Sequence, residues 1–157
     1  MIALATLVLV ARELGWGRQG FGEAQEVSLS FPLCSAPGYS ANCVFDGDTI
    51  RIGERRIRLI GFDAPELNGK CPAESEAARK AQAELVRWLA LGPFQLDGGD
   101  DPARDQYGRE LRAARRLAPS GDTRLLSDHM IAARLAQGDY WDAGWSDDWG
   151  IGRVNWC

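Results

Sequence analysis

The sequence has a single histidine, His129, and no C-x-x-C pair. Together these leave too few ligands for a zinc finger or ribbon. Lysine is almost missing: sixteen arginines stand against two lysines, and the net charge is −4. A general electrostatic attraction to nucleic acid over the whole surface is thereby excluded, although local arginine faces are not. No apolar run approaches the roughly twenty residues that a membrane-spanning helix needs. The N-terminal run, Met1 to Ala11, is interrupted by Arg12. No internal repeat is visible.

What is present fits one domain of 157 residues with a real core. The division expected is an N-terminal apolar segment and linker over 1–42, a folded domain over 43–138 and an acidic, Trp-rich tail over 139–157. The tail carries Asp139, Asp142, Asp147 and Asp148 among Trp141, Trp145, Trp149 and Trp156. Without it the body is nearly neutral. Arginines are locally in excess around Arg51, Arg55, Arg56 and Arg58, and again around Arg109, Arg112, Arg115 and Arg116.

Met1 to Ala11 has the length of a secretory h-region, but no basic residue precedes it and no A-x-A cleavage site follows. An export signal or a truncated anchor is expected, with a short N-terminal helix as the alternative and no stable membrane insertion. Four cysteines, Cys34, Cys43, Cys71 and Cys157, form an even set. Two structural disulfides in an exported, periplasmic or membrane-tethered protein are one reading, and four free thiols the other. Cys34 and Cys43 flank a short loop and can pair locally. Cys71 and Cys157 then staple the tail to the loop before the first helix. Four cysteines allow three pairings, so spacing alone does not decide.

Residues 12–42, rich in Gly, Ser and Pro, read as irregular lead-in. A strand begins at Cys43. Ile50 and Ile52 alternate with Thr49 and Arg51, Gly53-Glu54 makes a turn, and Ile57 and Leu59 alternate with Arg56 and Arg58. This spacing predicts a β-hairpin with Arg58 on the face opposite Ile57 and Leu59. Pro72 opens a helix to about Leu91 with Ala81, Leu85, Trp88 and Leu89 on its apolar stripe, stopped by Gly92-Pro93. A short strand covers Phe94 to Leu96, a Gly-rich acidic loop Gly98 to Gln106, and a strand Tyr107 to Leu117. A second helix is expected from Asp122 to about Gln137, with Leu126, Met130 and Ala133 inward and Asp122 or Ser127 as cap. Strands, helix, strands, helix suit an α+β, mainly β fold: a five-stranded OB-fold barrel with two packed helices and the Trp-rich tail.

The chemistry concentrates in Asp46-Gly47-Asp48-Thr49 and Arg58-Leu59-Ile60-Gly61-Phe62-Asp63-Ala64-Pro65-Glu66. Carboxylates this dense repel one another unless a cation neutralises them. A D-x-D pair on a strand shares one face, and Asp63 at the end of the next strand closes the set. The competing reading makes them turn aspartates, since Asp-Gly is a common turn pair. A metal with one or two guanidiniums stabilises the charge that develops in phosphodiester hydrolysis, and a carboxylate outside the metal shell, here Glu66, can activate water. Alternatively, Arg58 is a salt-bridge partner of Asp48 or Asp63, and Glu66 a helix cap. In Asp105-Gln106-Tyr107-Gly108-Arg109, Gly108 permits a turn that aims Arg109, while Tyr107 can serve as an aromatic platform for a base or simply as a core residue.

These three motifs, in this order and at these spacings over roughly residues 43–137, resemble the staphylococcal nuclease (thermonuclease) family. The resemblance implies an OB-fold nuclease that uses calcium and cuts DNA or RNA, single-stranded or denatured, with little sequence preference, leaving 3′-phosphates. By position it implies Asp48, Asp63 and the carbonyl of Ala64 as calcium ligands. Asp46 and Thr49 would support them through water. Glu66 would be the general base, Arg58 and Arg109 the phosphate arginines, and Tyr107 a neighbour of the substrate phosphate. A monomer is expected.

The chain departs from the family's pattern at its C-terminal end. Arg134 stands where the family usually has a glycine, so the second helix is expected to end differently. The family's third helix has no counterpart. In its place Trp141, Trp145 and Trp149 recur four apart, which aligns them on one face if the tail is helical. A tail packed on the domain is expected, with base stacking disfavoured by the aspartates between the tryptophans. A barrel that binds nucleic acid or a protein partner without cutting is the competing function.

Overall fold

The computed structural model describes residues 23–38, 40–138 and 154–157. The N-terminal apolar segment and most of the tail, including Trp141, Trp145 and Trp149, lie outside the described residues.

The alternating stretch from Cys43 to Leu59 forms three consecutive antiparallel strands, β2 (Asn42–Val44), β3 (Thr49–Ile52) and β4 (Arg55–Leu59). β1 (Gln25–Val27) precedes them. Gly53, at φ 58°, makes the β3–β4 turn, a left-handed conformation that glycine adopts without steric penalty. Ile50 lies opposite Ile57, and Thr49 opposite Arg58. Ile50, Ile57 and Leu59 are fully buried on one face, and Arg58 emerges on the other, as the alternation predicts.

After β5 (Phe62–Asp63) the chain enters α1 (Pro72–Leu89). Cys71 is its N-cap and Pro72 its first residue. The Glu74 carboxylate reaches back to accept the Lys70 N–H at 2.6 Å, satisfying a donor at the helix entrance. Ala78, Ala81, Leu85, Trp88 and Leu89 form its buried stripe. Then follow β6 (Phe94–Leu96), β7 (Glu110–Arg112), β8 (Ala114–Leu117), β9 (Thr123–Leu125), α2 (Leu126–Ala132) and β10 (Gln137–Gly138).

The strands make three sheets, in the orders β2-β3-β4-β7, β1-β6-β8-β9 and β5-β10. Among the ladders between these described strands, β4–β7 is the parallel one and the rest are antiparallel. The architecture is α+β, mainly β, with two helices among the described residues.

Four sequence expectations need correction. The strand expected over Tyr107 to Leu117 is broken at Ala113, with β7 in one sheet and β8 in another. The Ala113 N–H donates to Asp97 Oδ1 at 2.6 Å and its carbonyl accepts the Asp97 N–H at 3.1 Å, so Asp97 anchors the corner. The long second helix is instead β9 followed by seven helical residues, because Thr123–Leu125 pair with β8. Leu125 is its N-cap and makes no side-chain capping bond, so neither Asp122 nor Ser127 caps it. Leu126 and Met130 are buried, but Ala133 lies past the helix and is exposed. Arg134 does not prevent a glycine-like ending: its φ is 58°, its N–H donates to the Ile131 carbonyl at 2.9 Å, and the Leu135 N–H donates to the Met130 carbonyl at 3.0 Å. That is the Schellman closure, made with arginine where glycine is usual.

The fourth correction concerns the lead-in, which is partly structured. β1 pairs with β6, Val27 and Phe31 are buried, and the Phe31 and Phe94 rings lie 6.0 Å apart. Both expected disulfides are present, Cys34–Cys43 and Cys71–Cys157. Among the described residues no helix is long and apolar enough to cross a membrane.

Candidate active site

Asp46 and Asp48 sit not on a strand but in the bend between β2 and β3. The Asp48 N–H donates to Asp46 Oδ1 at 3.1 Å, the local bond by which an aspartate organises a turn. Gly47, between them, is pressed beneath α1. A Cβ there would lie 2.7 Å from the Cβ of Ala64 and 2.9 Å from that of Ala81. The helix stripe therefore seats the bend, and the bend turns Asp48 inward, where it is only 4% exposed.

Three partners meet the Asp48 carboxylate. Oδ1 accepts from Thr49 Oγ1 at 3.1 Å and from Arg58 Nη1 at 3.2 Å, and Oδ2 accepts the Ala64 N–H at 3.2 Å. Arg58 Nη2 donates to Asp63 Oδ1 at 2.7 Å. One guanidinium thus bridges the bend and the end of β5, drawing two carboxylates from separate segments to one point. Burial, with the Asp46 charge beside it, pushes the Asp48 carboxyl up to about 7 against the opposing pull of Arg58. Glu66 is exposed on the loop after β5. Its carboxyl is also raised, first by partial burial and then by Asp46 and Asp63, against Arg58. Asp46, Asp48, Asp63, Glu66 and Arg58 form one electrostatic neighbourhood.

Arg109 and Tyr107 belong to a second group. Gly108, at φ 78°, closes the turn that the sequence predicts. Asp105 organises it: Oδ1 accepts the N–H groups of Tyr107 and Arg109, each at 2.9 Å, and Oδ2 accepts Arg109 Nε at 2.6 Å. The Arg109 guanidinium lies 5.6 Å from the centroid of the Tyr107 ring, which is 74% exposed. Tyr107 is thus a surface residue, not a core one. In the parallel β4–β7 ladder, Arg58 is opposite Leu111. Arg109 itself precedes β7 and lies outside this ladder.

The metal donors that the family resemblance implies, Asp48, Asp63 and the Ala64 carbonyl, are all hard oxygens, the set that calcium prefers. The two carboxylates already converge on one positive group, so the donor set fits a hard cation. Among the described residues, no group of three or more His, Cys, Asp or Glu side chains is arranged to hold a metal.

Sequence reasoning missed two elements near the site. Gln137 Nε2 donates to Asp63 Oδ2 at 3.1 Å. Behind Arg109, the buried Glu110 carboxylate accepts from Arg55 and Arg112. Arg112 itself donates to the Asp97 and Gly99 carbonyls and so holds the loop that leads to Arg109. Neither carries a motif; each depends on a partner far away in the chain. His129, given no role from sequence, lies 2.6 Å from Glu84 and ties α2 to α1.

Compared with known proteins, the chain matches no protein-family model and no curated protein.

Proposed function

We propose that this chain is a calcium-dependent phosphodiesterase of the staphylococcal nuclease kind, hydrolysing DNA or RNA with little sequence preference and leaving 3′-phosphate ends. The observation that carries the proposal is the Arg58 bridge between Asp48 and Asp63, with Glu66 beside it. Two carboxylates, a guanidinium and a carboxylate of raised basicity are the parts that phosphodiester hydrolysis needs. The corner at Ala113, which passes the chain directly from one sheet to another, supports an OB-type barrel, since such folds turn their corners with strands that switch sheets.

In this reading Asp48, Asp63 and the Ala64 carbonyl hold calcium, Thr49 donates to the Asp48 carboxylate, and Asp46 holds the Asp48 backbone N–H. Bound calcium supplies positive charge against the phosphate. Arg58 and Arg109 offer forked donors to the phosphoryl oxygens. Glu66 accepts the proton of the attacking water, whose oxygen bonds to phosphorus as the bond to the leaving 5′ oxygen breaks. Tyr107 lies against the substrate strand. The two disulfides suit an exported protein.

A second reading, a module that binds nucleic acid without cutting it, is favoured by one observation: the Arg109 side chain is paired with Asp105. Denatured DNA incubated with the purified chain, in calcium or in chelator, separates the two. Cutting only in calcium is expected; retention of DNA without cutting supports the second reading, and a chain that neither cuts nor retains DNA overturns both.

A further inference from the structure

Asp63 differs from Asp48 in that burial does not hold it: its side chain is 43% exposed. Two bonds do. Oδ1 accepts from Arg58 Nη2 at 2.7 Å, and Oδ2 accepts from Gln137 Nε2 at 3.1 Å. Gln137 lies directly opposite Asp63 in the β5–β10 ladder, so the two side chains share a face.

A primary amide can present either its NH2 group or its oxygen, and the oxygen would repel the carboxylate. Val154 decides which. Its backbone N–H, which can only donate, meets Gln137 Oε1 at 3.3 Å. With Oε1 engaged there, Nε2 is left facing Asp63. Val154 belongs to the segment that ends at Cys157, and Cys157 is bonded to Cys71, the N-cap of α1. A continuous physical path therefore runs from the disulfide through Val154 and Gln137 to Asp63.

We propose that Gln137 is a positioning residue for Asp63, and that the Cys71–Cys157 disulfide sets the Gln137 amide through the Val154 N–H. The fitness of Asp63 to hold a divalent cation then depends on an anchored C-terminal segment. The cation part rests on the calcium reading above; the hydrogen-bond relay does not.

Two measurements on the whole chain test this. The first needs no calcium. The side-chain NH2 signals of Gln137 and the carboxyl carbon signal of Asp63 are followed by NMR in the native protein, Gln137→Met, Val154→Pro and Cys71→Ser/Cys157→Ser. Val154→Pro removes the N–H and leaves the disulfide in place, so it serves even if the cysteine variant fails to fold. The Asp63 signal is expected to shift in every folded variant, and the Gln137 NH2 signals in Val154→Pro. Signals unchanged from the native protein overturn the relay.

The second is a calorimetric calcium titration. Gln137→Met is expected to raise the calcium Kd about tenfold, as loss of an outer hydrogen bond to a metal ligand typically does, and Val154→Pro to raise it by less. An unchanged Kd in both overturns the claim that the relay serves the cation. If the native chain takes up no calcium, the calcium reading falls, and the relay is decided by the NMR shifts alone.

Discussion

Arg55 and Glu110, 55 residues apart, meet through two hydrogen bonds, Nε to Oε1 at 2.8 Å and Nη2 to Oε2 at 2.7 Å. These bonds first, and after them those of Arg112, overcome burial and hold the Glu110 carboxyl down at about 2, against an ordinary value of 4.5. A carboxyl that binds its proton more weakly when folded stabilises the fold above the unfolded value. Its contribution, up to about 3 kcal/mol at neutral pH, is full above pH 4.5 and lost as the pH falls through about 2. Urea unfolding at stepped pH should show stability declining across this window, with a shallower decline in Glu110→Gln. An identical acid slope in the variant would remove Glu110 from the account.

Gly47→Ala should damage both fold and site. The added Cβ meets the Cβ atoms of Ala64 and Ala81, which no rotamer change can move, so the bend or α1 must shift. A loss of about 1–3 kcal/mol is expected, and Ala81→Gly in the same chain should recover part of it. A native melting temperature in the single variant would show that the bend is not seated by the helix.

Arg58→Ala leaves Asp48 and Asp63 facing each other without the cation between them. Turnover on denatured DNA should fall by orders of magnitude. Glu66→Gln should fall by about a hundredfold or more with little change in melting temperature, because the side chain is exposed. Near-native turnover in either variant would strike that residue from the mechanism.

Arg134→Gly should stabilise the chain. Arginine at φ 58° carries a left-handed penalty of about 1 kcal/mol, partly offset by the greater freedom of glycine when unfolded. A net gain of about 0.5 kcal/mol in urea unfolding is expected, and a loss would show that the arginine side chain supports the helix end.

The elements legible in the sequence were those with local, repeated signals. The β3–β4 hairpin combined period-two alternation with a turn glycine, and α1 combined Pro72 with a four-position apolar stripe. Cys34 and Cys43 were close enough in the chain to suggest each other. The elements that escaped are defined by distant partners. β5 and β10 have two residues each, too few for any periodicity, yet their pairing puts Gln137 on Asp63. Thr123–Leu125 carry no local preference strong enough to resist pairing with β8, so the helix begins at Leu126 and not at Asp122. At the site, the residue types were readable but their geometry was not. Asp46 and Asp48 read equally well on a strand or in a turn, and the deciding contact, Gly47 beneath Ala81, comes from packing of the helix. The grip of Asp105 on Arg109 likewise depends on how the Gly108 turn folds back.

The Cys71–Cys157 bond joins residues 86 apart, so more than half of the 157-residue chain forms a covalent ring that includes α1, Arg109 and β10. A protease that cuts one peptide bond inside this ring produces two pieces that remain attached. Such a nicked molecule would migrate as a single species without reductant and as two with it. For a chain working among proteases, a single cut is then not a dissociation.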